Sequence, residues 1–267
     1  MTALTTRPVA RRPRSGWRGF GTLLTTEARL WTRDAGTVFF SLVFATVLLV
    51  GVGFAIPGMR DPITDAPPPW QGLTPIATFA PVVVAAAIAT PALTTMPVYF
   101  ATFREKGVLR RLSTTPMRPQ GIVVAHLLIN LAAVLLGSLV ALGVGELVFG
   151  LPAPRSVGTV ALAFVLAVTS MFALGTLVAA RAPRASTASA VGTLIYFPLL
   201  FLSGLWTPGP IMPDVVREVG QYTPLGAAAQ AMTAGWFEDG VPTLQLVVMA
   251  AWTAVLLPLG VKLFRWT

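Results

Sequence analysis

Six long apolar stretches constrain this chain more than any other feature of it. They cover about 35–57, 72–103, 120–149, 157–180, 187–206 and 243–263. Each reaches the roughly 20 residues that a helix needs to cross the hydrocarbon core of a bilayer. Inside lipid a backbone must satisfy its own hydrogen bonds, so apolar stretches of this length read as transmembrane helices. The second and third are longer than a bilayer requires, so they tilt or extend past it. Pro75, Pro81, Pro91 and Pro97 in the second, Pro198 in the fifth and Pro258 in the sixth each predict a kink. Composition excludes the main alternatives. Charged residues make up 11% and apolar ones 55% of the 267. A soluble domain carries roughly 25% charge, and disorder requires high charge with low hydrophobicity.

Charge placement orients the six spans. With an even number of crossings, both termini share a side. The N-terminal arm, the 104–118 loop, the 181–186 loop and the C-terminal tail on that side hold 16 of the 19 lysines and arginines. The opposite loops hold only Arg60, Arg155 and Arg217, with six of the ten acids. The positive-inside rule therefore puts both termini in the cytoplasm. It also accounts for the formal charge of +9 without nucleic-acid binding. The expected architecture is an all-α integral membrane protein. A cytoplasmic arm and interfacial helix occupy 1–34, and a six-span domain occupies 35–267.

Catalytic chemistry is poorly supplied. The chain has no cysteine, which excludes thiolate metal sites and a cysteine nucleophile, and its single histidine, His126, excludes a multi-histidine metal centre. Neither of its two lysines, Lys106 and Lys262, sits in a phosphate-binding Gly-x-x-x-x-Gly-Lys-Ser/Thr pattern. No catalytic, cofactor or metal residues are expected on this chain. Ionisable and polar groups within spans count as functional candidates. These are Glu146 near the outer end of the third span, and His126 and Asn130 near its inner end, as residues for substrate or proton handling.

Several segments carry more specific patterns. From Trp17 to Arg33 the residues Trp17, Phe20, Leu24, Ala28 and Trp31 share one helical stripe, and arginines and threonines share another. That is the pattern of an amphipathic helix lying in the membrane interface, in contact with lipid. Gly137, Ala141 and Gly145 in the third span, and Ala188 and Gly192 in the fifth, are spaced four apart, which favours close helix packing within a subunit or across a dimer. The outer loop at about 207–242 is too apolar to be simply solvated. It predicts two short helices, about 214–222 and 225–236, against the outer membrane face. The loop after the second span, about 104–116, predicts a short helix ending at Pro116. It presents leucines and arginines together, as a helix docked on a partner protein does.

That loop carries Arg104, Glu105, Gly107, Leu109, Arg111, Leu112, Thr115 and Pro116. It resembles the type-2 ABC transporter permeases, the membrane subunits of ABC exporters of the daunorubicin-resistance and polysaccharide-export kind. Val108 stands where threonine is common. Leu202-Ser-Gly-Leu-Trp-Thr-Pro208, Met212-Pro213 and Tyr222-Thr-Pro-Leu225 resemble further family motifs, with Thr223 in place of the usual asparagine. The resemblance implies a permease that pairs as a homodimer and binds two copies of a separate ABC ATPase. The ATPase would hold the ATP and Mg. The segment at about 105–115 would be the coupling helix, with Arg104, Glu105, Gly107, Leu109, Arg111, Leu112 and Pro116 as its contact residues, and the helix at 17–33 the interfacial one. It also implies export, from a bacterial cytoplasmic membrane.

Apolar spans with few hydrogen-bonding groups favour an amphiphilic, drug-like or lipid-like cargo. A polysaccharide or glycolipid cargo within the same family would call for more aromatic residues along a channel, and the chain has only three tyrosines. The alternative outside the family is a carrier driven by an ion gradient. That would need ionisable residues near the midplane or inverted repeats, which are not evident here.

Overall fold

The computed structural model describes residues 19–64, 68–108, 120–207 and 212–263. Among them there is no strand, and six helices are long and apolar enough to cross a membrane. Spans one to six are Ala35–Ala55, Pro75–Glu105, Gln120–Phe149, Val157–Arg181, Ala185–Leu202 and Thr243–Leu263. An N-terminal helix, Phe20–Arg33, precedes them. Two shorter helices, Asp214–Gly220 and Pro224–Phe237, lie between spans five and six; in keeping with the expected topology their side of the bundle is labelled outer and the opposite side inner.

The break between the N-terminal helix and span one is made by Asp34. Its backbone is extended, and its carboxylate accepts from the N–H groups of Gly36 at 3.1 Å and Thr37 at 3.2 Å. Those donors open span one and have no partner of their own inside the helix, so the side chain caps them.

Span two is the centre of the bundle, packed against spans one, three, four and five. Its alanines at 85, 86, 87, 89 and 92 keep it thin. Gly175 of span four and Gly192 of span five face its backbone directly, where a Cβ would collide with the carbonyl oxygens of Ala92 and Leu93. At this level span two makes a π-helical turn, Pro91–Thr95. A proline at its start cannot donate to the preceding turn, and the widened turn accommodates the missing bond. Span one makes a similar turn at Phe39–Val43. There Gly137 of span three abuts the backbone of Ser41 and Leu42. The stripe of small residues on span three therefore packs within the subunit: Ala141 is buried, and Gly145 meets Leu49 and Leu151.

Two local expectations are revised. Span five stops at Leu202 rather than about 206. Gly204 takes a left-handed φ of 84°, and the N–H groups of Gly204 and Leu205 turn back to the carbonyls of Phe201 and Leu200. That is a glycine-terminated helix end, which the apolar run through Trp206 conceals. The second outer helix does not rest on a membrane face. It is buried between the ends of spans two, four and six, and Gly235 brings it against Val160. Its alanines and glycines make it slim enough to insert, and Trp236 fixes it by donating to the carbonyl of Pro152 at 3.0 Å.

Candidate functional site

The inner end of span two is clamped to the turn between spans four and five. Arg104 Nη1 donates to the carbonyls of Ala179 at 3.0 Å and Ala182 at 2.5 Å. These oxygens belong to the last turn of span four and the residue after it, where carbonyls lack partners and the helix dipole is negative. Glu105 Oε1 accepts from the backbone N–H of Ala185 at 2.9 Å, the first residue of span five. Here the exposed donors and the dipole are positive. Adjacent residues of opposite charge thus cap adjacent helix ends about 80 positions away in sequence. Ala101, Ala182 and Ala188 form the small buried contact beside them. Gly107 then turns the chain with a φ of 67°, a left-handed conformation that a side chain would strain. Leu109, Arg111, Leu112 and Pro116 lie outside the described residues.

The N-terminal helix meets the bundle at the same end. Trp17 lies outside the described residues; Phe20, Leu24 and Trp31 are each half-buried. Phe20 and Leu23 approach Gly121 at the start of span three. Between them and Trp31 sits Glu27, only 6% exposed, whose carboxylate accepts a hydrogen bond from the Tyr99 hydroxyl of span two. Burial pushes this carboxyl above its ordinary range, and the tyrosine hydrogen bond partly offsets the rise. The Tyr99 ring stacks on His126 with centroids 4.2 Å apart. Asn130 Nδ2 donates to the His126 carbonyl at 2.9 Å, and its Oδ1 is buried without a partner among the described residues. His126 and Asn130 therefore belong to one neighbourhood. Glu146 does not: it lies exposed, 20 residues further along the same helix, or about 30 Å away at 1.5 Å per residue.

Sequence reasoning passed over Glu27 and Tyr99. The signal for Glu27 was present. It is the sole acid in residues 1–33 and falls on the apolar stripe between Leu24 and Trp31 rather than on the arginine face. Tyr99 offered no comparable signal, because a tyrosine near a span end fits an interfacial belt equally well.

A cavity of about 410 Å³ opens between the N-terminal helix, the start of span one and the inner half of span two, with Glu27, Trp31, Phe40, Tyr99 and His126 in its walls. A second, about 390 Å³, lies at the opposite end beside the outer helices, lined by polar groups such as Gln230, Gln245 and Glu218. Among the described residues no three histidine, cysteine, aspartate or glutamate side chains are placed to hold a metal ion.

No curated protein matched the chain. The family model described as ABC-2 type transporter matches residues 17–237, which takes in the N-terminal helix, five spans and both outer helices. With that match over most of its length and six membrane-spanning helices, the chain belongs to the ABC-2 type transporter family, as a multi-pass permease of the kind that works with an ABC ATPase.

Proposed function

We propose that this chain is the membrane subunit of an ATP-driven exporter, and that two copies pair and bind two copies of a separate ATPase at their arginine-rich ends. Both termini lie in the cytoplasm on this reading. The segment at about 104–116 docks on the ATPase, and the cargo is amphiphilic, drug-like or lipid-like. The observation that supports this most directly is the pair of caps made by Arg104 and Glu105. A docking segment can drive a transporter only if its movement reaches the spans. These two side chains tie its first residues to the ends of spans four and five, beside the central span two. A nucleotide-dependent shift of the ATPase pair would then bias the bundle between two arrangements through differential affinity for them.

The test is co-purification in mild detergent together with transport in vesicles. Leu112→Asp is expected to lose a stoichiometric P-loop ATPase and ATP-dependent transport while inserting normally in the membrane. Retention of both in the variant overturns the docking assignment. ATP-independent transport by the wild-type chain alone overturns the exporter reading itself.

A further inference from the structure

The cavity at the arginine-rich end has walls of the wrong sign for its surroundings. On the proposed topology the segments on that side of the membrane include 16 of the 19 basic residues. Yet the described residues lining the cavity include two acids, Glu27 and Asp34, and no arginine or lysine. Aromatic rings make up much of the rest: Trp31, Phe40, Tyr99 and Phe103. Asp34 is occupied as the cap of span one, its oxygens accepting from Gly36, Thr37 N–H and the Thr37 hydroxyl. Glu27 is different. It is buried, and among the described residues its carboxylate has a neutral hydroxyl as partner and no ion pair. A buried carboxylate without a cation is costly, and a cation brought by a ligand would offset that cost.

Aromatic faces attract the same kind of ligand. A cation within about 6 Å of a tryptophan or tyrosine ring is bound by the ring quadrupole, more strongly where water is excluded. The indole N–H of Trp31 is also buried without an acceptor among the described residues, an unpaired donor that an oxygen on a bound molecule would satisfy. The volume of about 410 Å³ falls in the range of small-molecule sites. The geometry points to a binding site for cationic amphiphiles in this cavity, with Glu27 facing the positive group and Trp31 and Tyr99 packing around it. It narrows the amphiphilic cargo of the proposed function to cations entering at the inner leaflet, and it rests on that reading for the leaflet alone.

The experiment uses the full chain in nanodiscs of phosphatidylglycerol, with no ATPase and with empty discs as the reference. Two probes of the same shape and opposite charge are compared, tetraphenylphosphonium and tetraphenylborate. The phosphonium is expected to bind saturably, one per chain, and the borate is not. Glu27→Gln keeps an acceptor for Tyr99 but removes the charge, and should weaken phosphonium binding by about tenfold or more. Leu30→Lys tests the same point at a wall position that is 48% exposed and tolerant of change. By placing a competing cation there, it should abolish binding without touching the fold. Equal saturable binding of both ions, or unchanged affinity in Leu30→Lys, overturns the assignment. Replacing half the lipid with phosphatidylethanolamine separates the two sources of such a cation. Competition assigns the site to amine headgroups of lipid, and its absence assigns it to soluble cationic amphiphiles. Because no nucleotide is involved, a failed ATP-driven transport assay would sink the exporter reading and leave this result standing.

Discussion

Spans two and six are alike in hydropathy and opposite in surroundings. The most apolar windows of both have a mean hydropathy of 2.0, yet that of span two is entirely buried and that of span six only 17% buried. Span six packs on span four and the second outer helix through Met249, Leu256 and Gly260, while Val247, Val255 and Val261 face outward. Span two is enclosed on all sides from Ile76 to Leu93, and only its inner third borders the cavity beside the N-terminal helix. Hydropathy therefore reports that a helix belongs in lipid and says nothing of its place in the bundle. Side-chain width decides the place. Helices in lipid gain little by hiding apolar surface from one another, so the central position goes to the helix whose small residues allow close backbone approach. In span two these are the alanines, opposed by glycines on its neighbours.

The strongest way to break this comparison is to add one methyl group at each kind of contact. Gly175→Ala places a Cβ on the carbonyl of Ala92, a backbone atom that cannot rotate away. It should cost up to about 3 kcal/mol, the upper part of the usual overpacking range, read as a lower melting midpoint of the purified protein. At Gly260, which joins span six to span four, the new Cβ would lie 3.2 Å from the Thr176 methyl, which can shift slightly. Gly260→Ala should stay within about 1 kcal/mol of wild type, since the helix propensity of alanine favours the change by a similar amount. Equal losses at the two sites would mean that central and peripheral spans are packed with the same tightness.

Much of the fold was legible before the structure. Apolar length located the spans, most of them to within two or three residues, because a bilayer imposes length directly. The small-residue stripe of span three announced close packing, though only the structure shows its partner to be span one. Burial of the second outer helix was not legible, since a short alanine-rich apolar segment reads the same whether it lies on a face or inserts among helix ends. The candidate site was legible in part. Arg104 and Glu105 stood out through a motif, but as docking residues. Their bonds to Ala179, Ala182 and Ala185 join positions far apart in sequence, and no local spacing encodes them. The pairing of Glu27 with Tyr99 was hidden for the same reason.

A second contrast sharpens the comparison at the inner ends. Glu105→Ala removes the acceptor for the Ala185 N–H, and Arg104→Ala frees the carbonyls of Ala179 in span four and of Ala182 just after it. Charge-assisted hydrogen bonds are worth about 1.5–3 kcal/mol, so each variant should loosen the 179–188 turn by about 2 kcal/mol. Amide hydrogen exchange at residues 182–188 should quicken accordingly. Lys262, at the matching end of span six, is exposed. Lys262→Ala should stay within about 0.5 kcal/mol and leave exchange unchanged. If the Lys262 variant loosens its own helix end as much, the caps on span two are ordinary anchors and not a special link to its neighbours.

The smallest effect concerns hydroxyl pairs. In the centre, Thr90 of span two and Tyr196 of span five meet at 2.7 Å in a buried contact. At the periphery, Thr169 of span four and Thr253 of span six meet at 3.3 Å in an exposed one. Single substitutions would mislead, because Thr90 also donates to the Ala86 carbonyl and Thr253 to that of Met249. Double-mutant cycles remove those shared bonds from the account. The cycle of Thr90→Val with Tyr196→Phe should give a coupling of about 1 kcal/mol, within the measured range for hydrogen bonds between membrane helices. The cycle of Thr169→Val with Thr253→Val should give a coupling near zero, since a long and exposed contact is easily replaced by alternative partners. A coupling at the periphery as large as that at the centre would show that enclosure does not set the worth of a polar contact in this bundle. The special status of span two would then rest on backbone packing alone.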